Sequence, residues 1–492
     1  MSFLAKPAVT RRVVIDKVSP SIDGGSNPFK RVIGDWIPFA AHAFADSHDL
    51  LQVELRIRKV DTKYWQVLPM APLGNDEYQA TYRTDSIGLF EYEIVGVIDH
   101  YGSWYEGFQK KHQEGVPLDL ECRIGAELLE QAAKRANKEH AAKLREWAAH
   151  LANSTADIQK RISLACSPHV AGIARIYPKR DWETTSTTSL LLVERELAAF
   201  STWYEYFPRS CVYDGKTHGT FKDAAKQLPL IHKMGFNIVY FPPIHPVGRE
   251  FRKGKNNSLN PISEDVGSPW AVGAKEGGHK SILPALGSLE DFQHYLEEAG
   301  MRGMEVALDI AFQCAPDHPW VKKHPKWFRW RPDGTVQYAE NPPKKYQDIL
   351  PINFESDDWK NLWDELKSVF EYWIELGVKV FRVDNPHTKS MEFWRWCILK
   401  IKAKHPEVIF LAEAFTSPKR KYFLAKSGFT HGYTYFTWRN TAAELQQYVE
   451  ELTQSESKEY FWPNFWPNTP DILHADLQTG NRATFIGRYV LA

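Results

Sequence analysis

Three hydrophobic rhythms follow one another along the chain. From about Arg11 to Glu114 apolar residues recur at every second position. Val53, Leu55 and Ile57 alternate with Gln52, Glu54, Arg56 and Arg58, as in a strand with one buried face. The turn-forming Leu73-Gly74-Asn75-Asp76 separates this stretch from the strand-like Tyr78–Arg83 and Phe90–Ile98, and short strands at that spacing predict a β-sandwich. The steps then lengthen to three, four and eight. Leu129, Ala133, Ala136, Leu144, Trp147 and Leu151 form one stripe of a long helix starting near Ile124, with Lys134, Lys138, Lys143 and Glu146 between them. A second helical run around Ser189–Phe200 completes a small helical insertion.

From about Thr202 short, wholly apolar runs alternate with amphipathic helices. Asn237–Phe241 follows the helix Phe221–Met234, Glu305–Ala311 follows Ser288–Ala299, Val378–Val383 follows Trp359–Leu376, and Val408–Leu411 follows Met391–His405. Such runs are parallel strands buried on both faces. With polar residues at their C-terminal ends they predict a TIM-type (β/α)8 barrel. A doubly wound open sheet is the alternative, but no Gly-rich phosphate loop follows any strand. The expected plan is a β-sandwich over 1–117, a helical insertion over 118–195 and an α/β barrel over 196–492. The chain stops at Arg488–Ala492, inside a helix after the seventh strand-like segment. This predicts a fragment, with the barrel incomplete at its C-terminus and no C-terminal β domain.

Lys plus Arg and Asp plus Glu number 61 each, so the formal net charge is zero, which argues against a general nucleic-acid-binding role. The 18 Trp, 21 Tyr and 27 Phe suit either sugar stacking or large cores. Met1–Thr10 has no long apolar run and no later stretch approaches a membrane span. The five cysteines are scattered without a CxxC pair, as expected for reduced thiols in a cytoplasmic protein rather than a disulfide frame or zinc site.

The strongest chemical signal is Val378-Lys-Val-Phe-Arg382-Val383-Asp384-Asn385. Residues two apart on a strand share a face, so Arg382 and Asp384 both point into the barrel mouth. A guanidinium beside a carboxylate stabilises its charged form, which a nucleophile needs; the bland alternative is an ion pair that only orders the strand end. One αβ unit later Phe410-Leu411-Ala412-Glu413 ends the next strand. Two carboxyls on adjacent barrel strands can lie ~5 Å apart, the separation used by retaining glycosidases. The apolar neighbours Leu411, Ala414 and Phe415 favour a protonated Glu413, suited to general acid work. Asp471 follows the aromatic run Phe461–Trp466, and Asp309 sits inside Val306–Phe312. Either carboxylate can hold sugar hydroxyls or stabilise an oxocarbenium ion, and Asp309 can equally be a structural anchor.

Together these segments resemble the ordered sequence regions of the α-amylase superfamily, glycoside hydrolase family 13, over the chain from about Thr202 onward. The regions read Asp309-Ile-Ala-Phe-Gln313-Cys314, Phe381-Arg382-Val383-Asp384, Glu413 and Asn468-Thr469-Pro470-Asp471. Gln313-Cys314 stands where most members carry Asn-His, and Asn468–Asp471 stands where amylases carry Asn-His-Asp. These departures resemble the α-1,4-glucan:maltose-1-phosphate maltosyltransferase branch. So do Tyr240–Gly248 with Arg252-Lys253-Gly254-Lys255-Asn256-Asn257, and Ala339–Asp348. The resemblance implies Asp384 as nucleophile, Glu413 as general acid/base and Asp471 as transition-state stabiliser. It implies that Lys253, Gln313, Asp348 and Asn385 contact maltose 1-phosphate, with Asn341, Lys344 and Tyr346 around the phosphate and Arg382 beside the nucleophile. Taken alone, Asn341–Lys345 reads as an exposed turn.

The implied activity is retaining transfer of a maltosyl unit from α-maltose 1-phosphate to the non-reducing end of an α-1,4-glucan, releasing phosphate, in glycogen-type biosynthesis. No metal or organic cofactor is required, and the resemblance implies a homodimer formed through the N-terminal regions. A hydrolase or a transferase with an unphosphorylated donor is the nearest rival. A glucan-binding or dimer-scaffolding protein is the rival of another class.

Overall fold

The computed structural model describes residues 11–213, 215 and 217–492. Met1–Thr10, where no apolar run was found, therefore lies outside the described residues. The chain forms two compact units. The first takes the chain through Asn27, Gly34–Thr84 and Phe90–Leu191, and the second takes Pro28–Ile33, Asp85–Leu89 and everything from Leu192.

In the first unit Val13–Ser19, Trp36–Ala45, Glu77–Arg83 and Ala71–Gly74 pair antiparallel in that order. A second sheet sets Leu51–Lys59 between Gln66–Pro69 and Gly88–Ile98, again antiparallel. The period of two is obeyed: Leu51, Val53, Leu55 and Ile57 are buried and the residues between them are not. The two sheets face each other through Phe39 and Tyr92, whose ring centroids are 4.8 Å apart. Residues 75–76 form the expected turn, with Asn75 and Asp76 both at positive φ.

The helical part begins earlier than expected, at His100–Gln113, which contributes Tyr101, Trp104 and Phe108 to a core shared with Leu129, Leu144 and Leu151. The single long helix of the sequence reading is two helices, Asp119–Ala133 and Lys138–Ala152. Asn137 restarts the second by accepting the backbone N–H of His140 at 2.9 Å, the ordinary act of an N-cap. Ser189–Phe200 is corrected as well: Ser189–Glu194 is a strand, and only Glu196–Ala199 is helical.

The second unit holds seven parallel strands that pair in chain order. They are β1 (Trp203–Glu205), β2 (Ile238–Phe241), β3 (Glu305–Ile310), β4 (Val380–Val383), β5 (Ile409–Ala412), β6 (His431–Tyr433) and β7 (Trp462–Asn464). An order without reversal excludes the doubly wound alternative, whose order turns back at a switch point. One face of the strands, with Trp203, Tyr240, Ala307, Val380, Leu411 and Tyr433, fills an interior cluster. The other, with Val306, Leu308, Phe381, Val383 and Phe410, packs against the surrounding helices. Trp466, just after β7, reaches the ring of Trp203 on β1 at 6.4 Å, so the sheet curls until its two ends share the interior. The helix expected over Phe221–Met234 is broken into Phe221–Ala225 and Leu228–Lys233, where Pro229 lacks the N–H that a continuous helix needs. All five cysteines are free. Among the described residues no helix is long and apolar enough to cross a membrane.

Candidate active site

Strand parity builds the site. Ala307 and Val380 are paired across β3 and β4 inside the barrel, and two residues further Asp309 pairs with Arg382 on the same face. The ladder continues one residue beyond the strands: the N–H of Asp384 donates to Ile310 O and that of Glu413 to Val383 O, each at 3.0 Å. Asp384 thereby keeps the parity of Arg382, and Glu413 that of Leu411. The four side chains converge at the C-terminal ends of three neighbouring strands, and all are buried.

Arg382 is their centre. Its Nη1 lies 2.9 Å from both Asp309 Oδ2 and Asp384 Oδ1, and its Nη2 lies 3.5 Å from Glu413 Oε2. The rings of Tyr240 and Tyr433 flank the guanidinium at 5.8 and 5.6 Å. Burial works against the Arg382 charge, but Asp309, Tyr240 and Glu413 outweigh it and hold the group protonated. Burial pushes Glu413 up to about 7, with Arg382 pulling against it and Asp384 adding to it. Asp309 is likewise raised by burial, and Arg382, Tyr240 and Trp270 hold it back. Tyr240 OH donates to its Oδ2 at 2.7 Å and Trp270 Nε1 at 3.0 Å.

Asn385 leaves the strand in the left-handed region, at φ 42° and ψ 51°, a conformation that Asn tolerates better than most residues. The turn aims its N–H at Glu413 Oε2, 3.1 Å away, while its side-chain amide lies 3.4 Å from Asp384 Oδ2. Asn385 therefore touches both carboxyl groups. Gln313 donates its amide to Trp270 O at 3.1 Å, so one tryptophan braces both Asp309 and Gln313. Behind this loop a chain of imidazoles fixes the backbone. Trp320 N–H donates to His318 Nδ1, His318 Nε2 lies 3.2 Å from His279 Nδ1, and His279 Nε2 lies 2.8 Å from Ala311 O.

Asp471, though exposed, comes to a small cavity that it lines with Glu205, Trp270, Arg382, Glu413, Tyr433, Thr469 and Pro470. Lys253 and Asp348 are brought together in a buried pair at 3.9 Å. Burial raises Asp348 against the pull of Lys253. Asn341 and Lys344 face each other across the hairpin Ala339–Asn341/Lys344–Tyr346, both exposed, with Tyr346 half-buried. No hydrogen bond or ion pair ties these three to the carboxylates around Arg382 among the described residues. Sequence reasoning gave no role to Glu205, Trp270 or Tyr433, and quoted Tyr240 only within a motif. Glu205 had a legible signal, a Trp-Tyr pair ending in a carboxylate before Tyr-Phe-Pro-Arg. Trp270 had none, because it lies in a loop without period.

A family model described as α-1,4-glucan:maltose-1-phosphate maltosyltransferase, domain N/S, matches residues 11–195. Curated relatives named α-1,4-glucan:maltose-1-phosphate maltosyltransferase include one from Chlorobaculum tepidum, 52% identical over 98% of this chain and 72% of its own length. One from Methylacidiphilum infernorum is 50% identical and one from Pseudomonas aeruginosa 44%, each over the same shares. Among solved structures, an α-amylase from Lactobacillus plantarum aligns at 25% identity and TM-score 0.42 over 53% of this chain and 60% of its own.

Proposed function

The chain belongs to the α-1,4-glucan:maltose-1-phosphate maltosyltransferase family, and from that premise we propose how its residues carry out the transfer. The reaction moves a maltosyl unit from α-maltose 1-phosphate to the non-reducing end of an α-1,4-glucan. The observation that carries the assignment of roles is the single guanidinium of Arg382, which gathers Asp309, Asp384 and Glu413 at the ends of three adjacent strands.

Asp384 attacks the anomeric carbon while Glu413, whose burial lets it keep its proton up to about neutral pH, gives that proton to the departing phosphate oxygen. The C–O bond to phosphate breaks, an ester to Asp384 forms, and the configuration inverts. Glu413, now a base, takes the proton of the acceptor's 4-hydroxyl, which displaces Asp384 and restores the α configuration. The two steps need one group that gives and then takes the same proton, and a value near 7 suits both. Asp471 stabilises the positive charge that develops at the ring. Lys253, Gln313, Asp348 and Asn385 hold the donor sugar, and the hairpin residues Asn341, Lys344 and Tyr346 offer their donors to phosphate. Residues from about 196 onward supply the chemistry. A homodimer in the cytoplasm is the state in which we expect it to work.

The test is incubation with α-maltose 1-phosphate and a short maltooligosaccharide. Products longer by two glucose units, with one phosphate released per addition, are expected. Phosphate release without elongation, or elongation from an unphosphorylated donor alone, overturns the reading. Asp384→Asn is expected to lower kcat by at least about a thousandfold. In Glu413→Ala a donor whose leaving group needs no protonation should leave a disaccharide ester on Asp384, visible as added protein mass.

A further inference from the structure

Glu205 ends β1 two residues beyond Trp203, whose ring lies in the barrel interior. By parity its carboxyl turns inward, at the same end of the barrel as Asp309 and Asp384. Its register partner on β2 is Tyr240, which holds Asp309. It lines the cavity that Arg382, Glu413 and Asp471 share, yet among the described residues no ion pair or side-chain hydrogen bond occupies it. The guanidinium it faces pairs with Asp309 and Asp384 through Nη1 and with Glu413 through Nη2, and its unpartnered Nε forms no ion pair with Glu205 among the described residues.

We propose that Glu205 is a further binding residue of the reacting sugar, an un-ionised carboxyl whose O–H donates to a sugar hydroxyl in this cavity. The inference rests on the transferase reading for the identity of that sugar. Its physical ground is charge. The groups facing Glu205 are Tyr240, Asp309, Arg382, Glu413, Tyr433 and Asp471, and only one of them is a cation. Another negative charge there is half-buried and has no cation within ion-pair distance among the described residues. Burial accordingly pushes the Glu205 carboxyl up to about 8; Arg382 pulls it down, and Asp309, Asp471 and Glu413 add to the rise. A protonated carboxyl has what a carboxylate lacks, a hydrogen-bond donor.

Two substitutions separate the neutral donor from its rivals. Glu205→Gln keeps a donor in nearly the same place and cannot ionise, whereas Glu205→Leu keeps the bulk and removes the donor. At pH 7 the Gln variant is expected within about threefold of the parent in kcat/KM for the donor, and the Leu variant lower by roughly 10- to 100-fold. Above pH 8 the parent loses two protons needed for activity, one from Glu413 and one from Glu205. Its log kcat/KM should approach a slope of two, and that of the Gln variant a slope of one. A Gln variant as impaired as the Leu variant means that a carboxylate is required, and overturns the proposal. So does a fully active Leu variant, or an unchanged alkaline slope in the Gln variant. Infrared difference spectra need neither turnover nor the Leu variant. A protonated-carboxyl band should fade in the parent as pH passes about 8 and be missing from the Gln variant; no such difference also overturns the proposal. Failure of the parent to transfer from maltose 1-phosphate would sink the transferase reading and leave the infrared result to decide on Glu205.

Discussion

Glu413 and its neighbours share one guanidinium, and the consequence for stability can be worked out residue by residue. Burial raises the Glu413 carboxyl from 4.5 to about 7 in the fold. Between those limits the unfolded chain gives up its proton and the folded chain keeps it. The stability tied to this group is therefore fully present below about pH 4.5 and is lost as pH rises to about 7. At pH 8 the ionised folded form carries a penalty of about 3 kcal/mol. Glu413→Gln should then unfold a few degrees above the parent at pH 8 and show no such gain at pH 5, by thermal melts at both values. An equal effect at both pH values would show that packing, not charge, dominates the substitution.

The elements that place these side chains differ in how openly the sequence announces them. The interior strands were legible because a buried parallel strand has few polar positions, and because Asp309, Asp384 and Glu413 interrupt apolar runs just where strands end. The break between Ala133 and Lys138 was hidden, since the apolar stripe runs through it and only the capping Asn137 marks it. Ser189–Glu194 was misread because Leu190-Leu191-Leu192-Val193 is apolar throughout, and a uniform run has no period with which to tell strand from helix. Loop residues such as Trp270 were beyond periodicity altogether. At this scale the imidazole chain behind Gln313 also makes a prediction. Gly273 has φ of +100°, and a Cβ there would lie 1.9 Å from Cδ2 of His318. Gly273→Ala should cost at least about 2–3 kcal/mol, read as a lower urea midpoint, and an unchanged midpoint would show that His318 has room to yield.

Across the second unit as a whole, distant stretches of chain are fastened by buried charge. Lys402 Nζ donates to both carboxylate oxygens of Glu194, at 2.6 and 2.7 Å, and to Val408 O and Thr430 Oγ1 at 2.9 and 3.3 Å. Both ionic side chains are fully buried. Removing one alone strands the other, so Lys402→Met should lose about 3–5 kcal/mol, while the double variant Glu194→Leu/Lys402→Met should recover most of it. Chemical denaturation of the three proteins decides this, and a double variant no better than the single would mean that the pair itself stabilises. Trp270 has a different reach, and its consequence concerns protein engineering. It belongs to the long connection between β2 and β3, the kind of surface segment that is usually exchanged freely between relatives. Yet its indole holds Asp309 and its carbonyl holds Gln313, so this connection carries part of the chamber wall with it. A chimaera whose crossover points separate Trp270 from β3 would leave Asp309 with only Tyr240 and Arg382 of its three partners and Gln313 without its carbonyl brace. Breakpoints for recombining members of this family therefore belong before β2 or after Gln313, so that the connection and the strand it braces are inherited together.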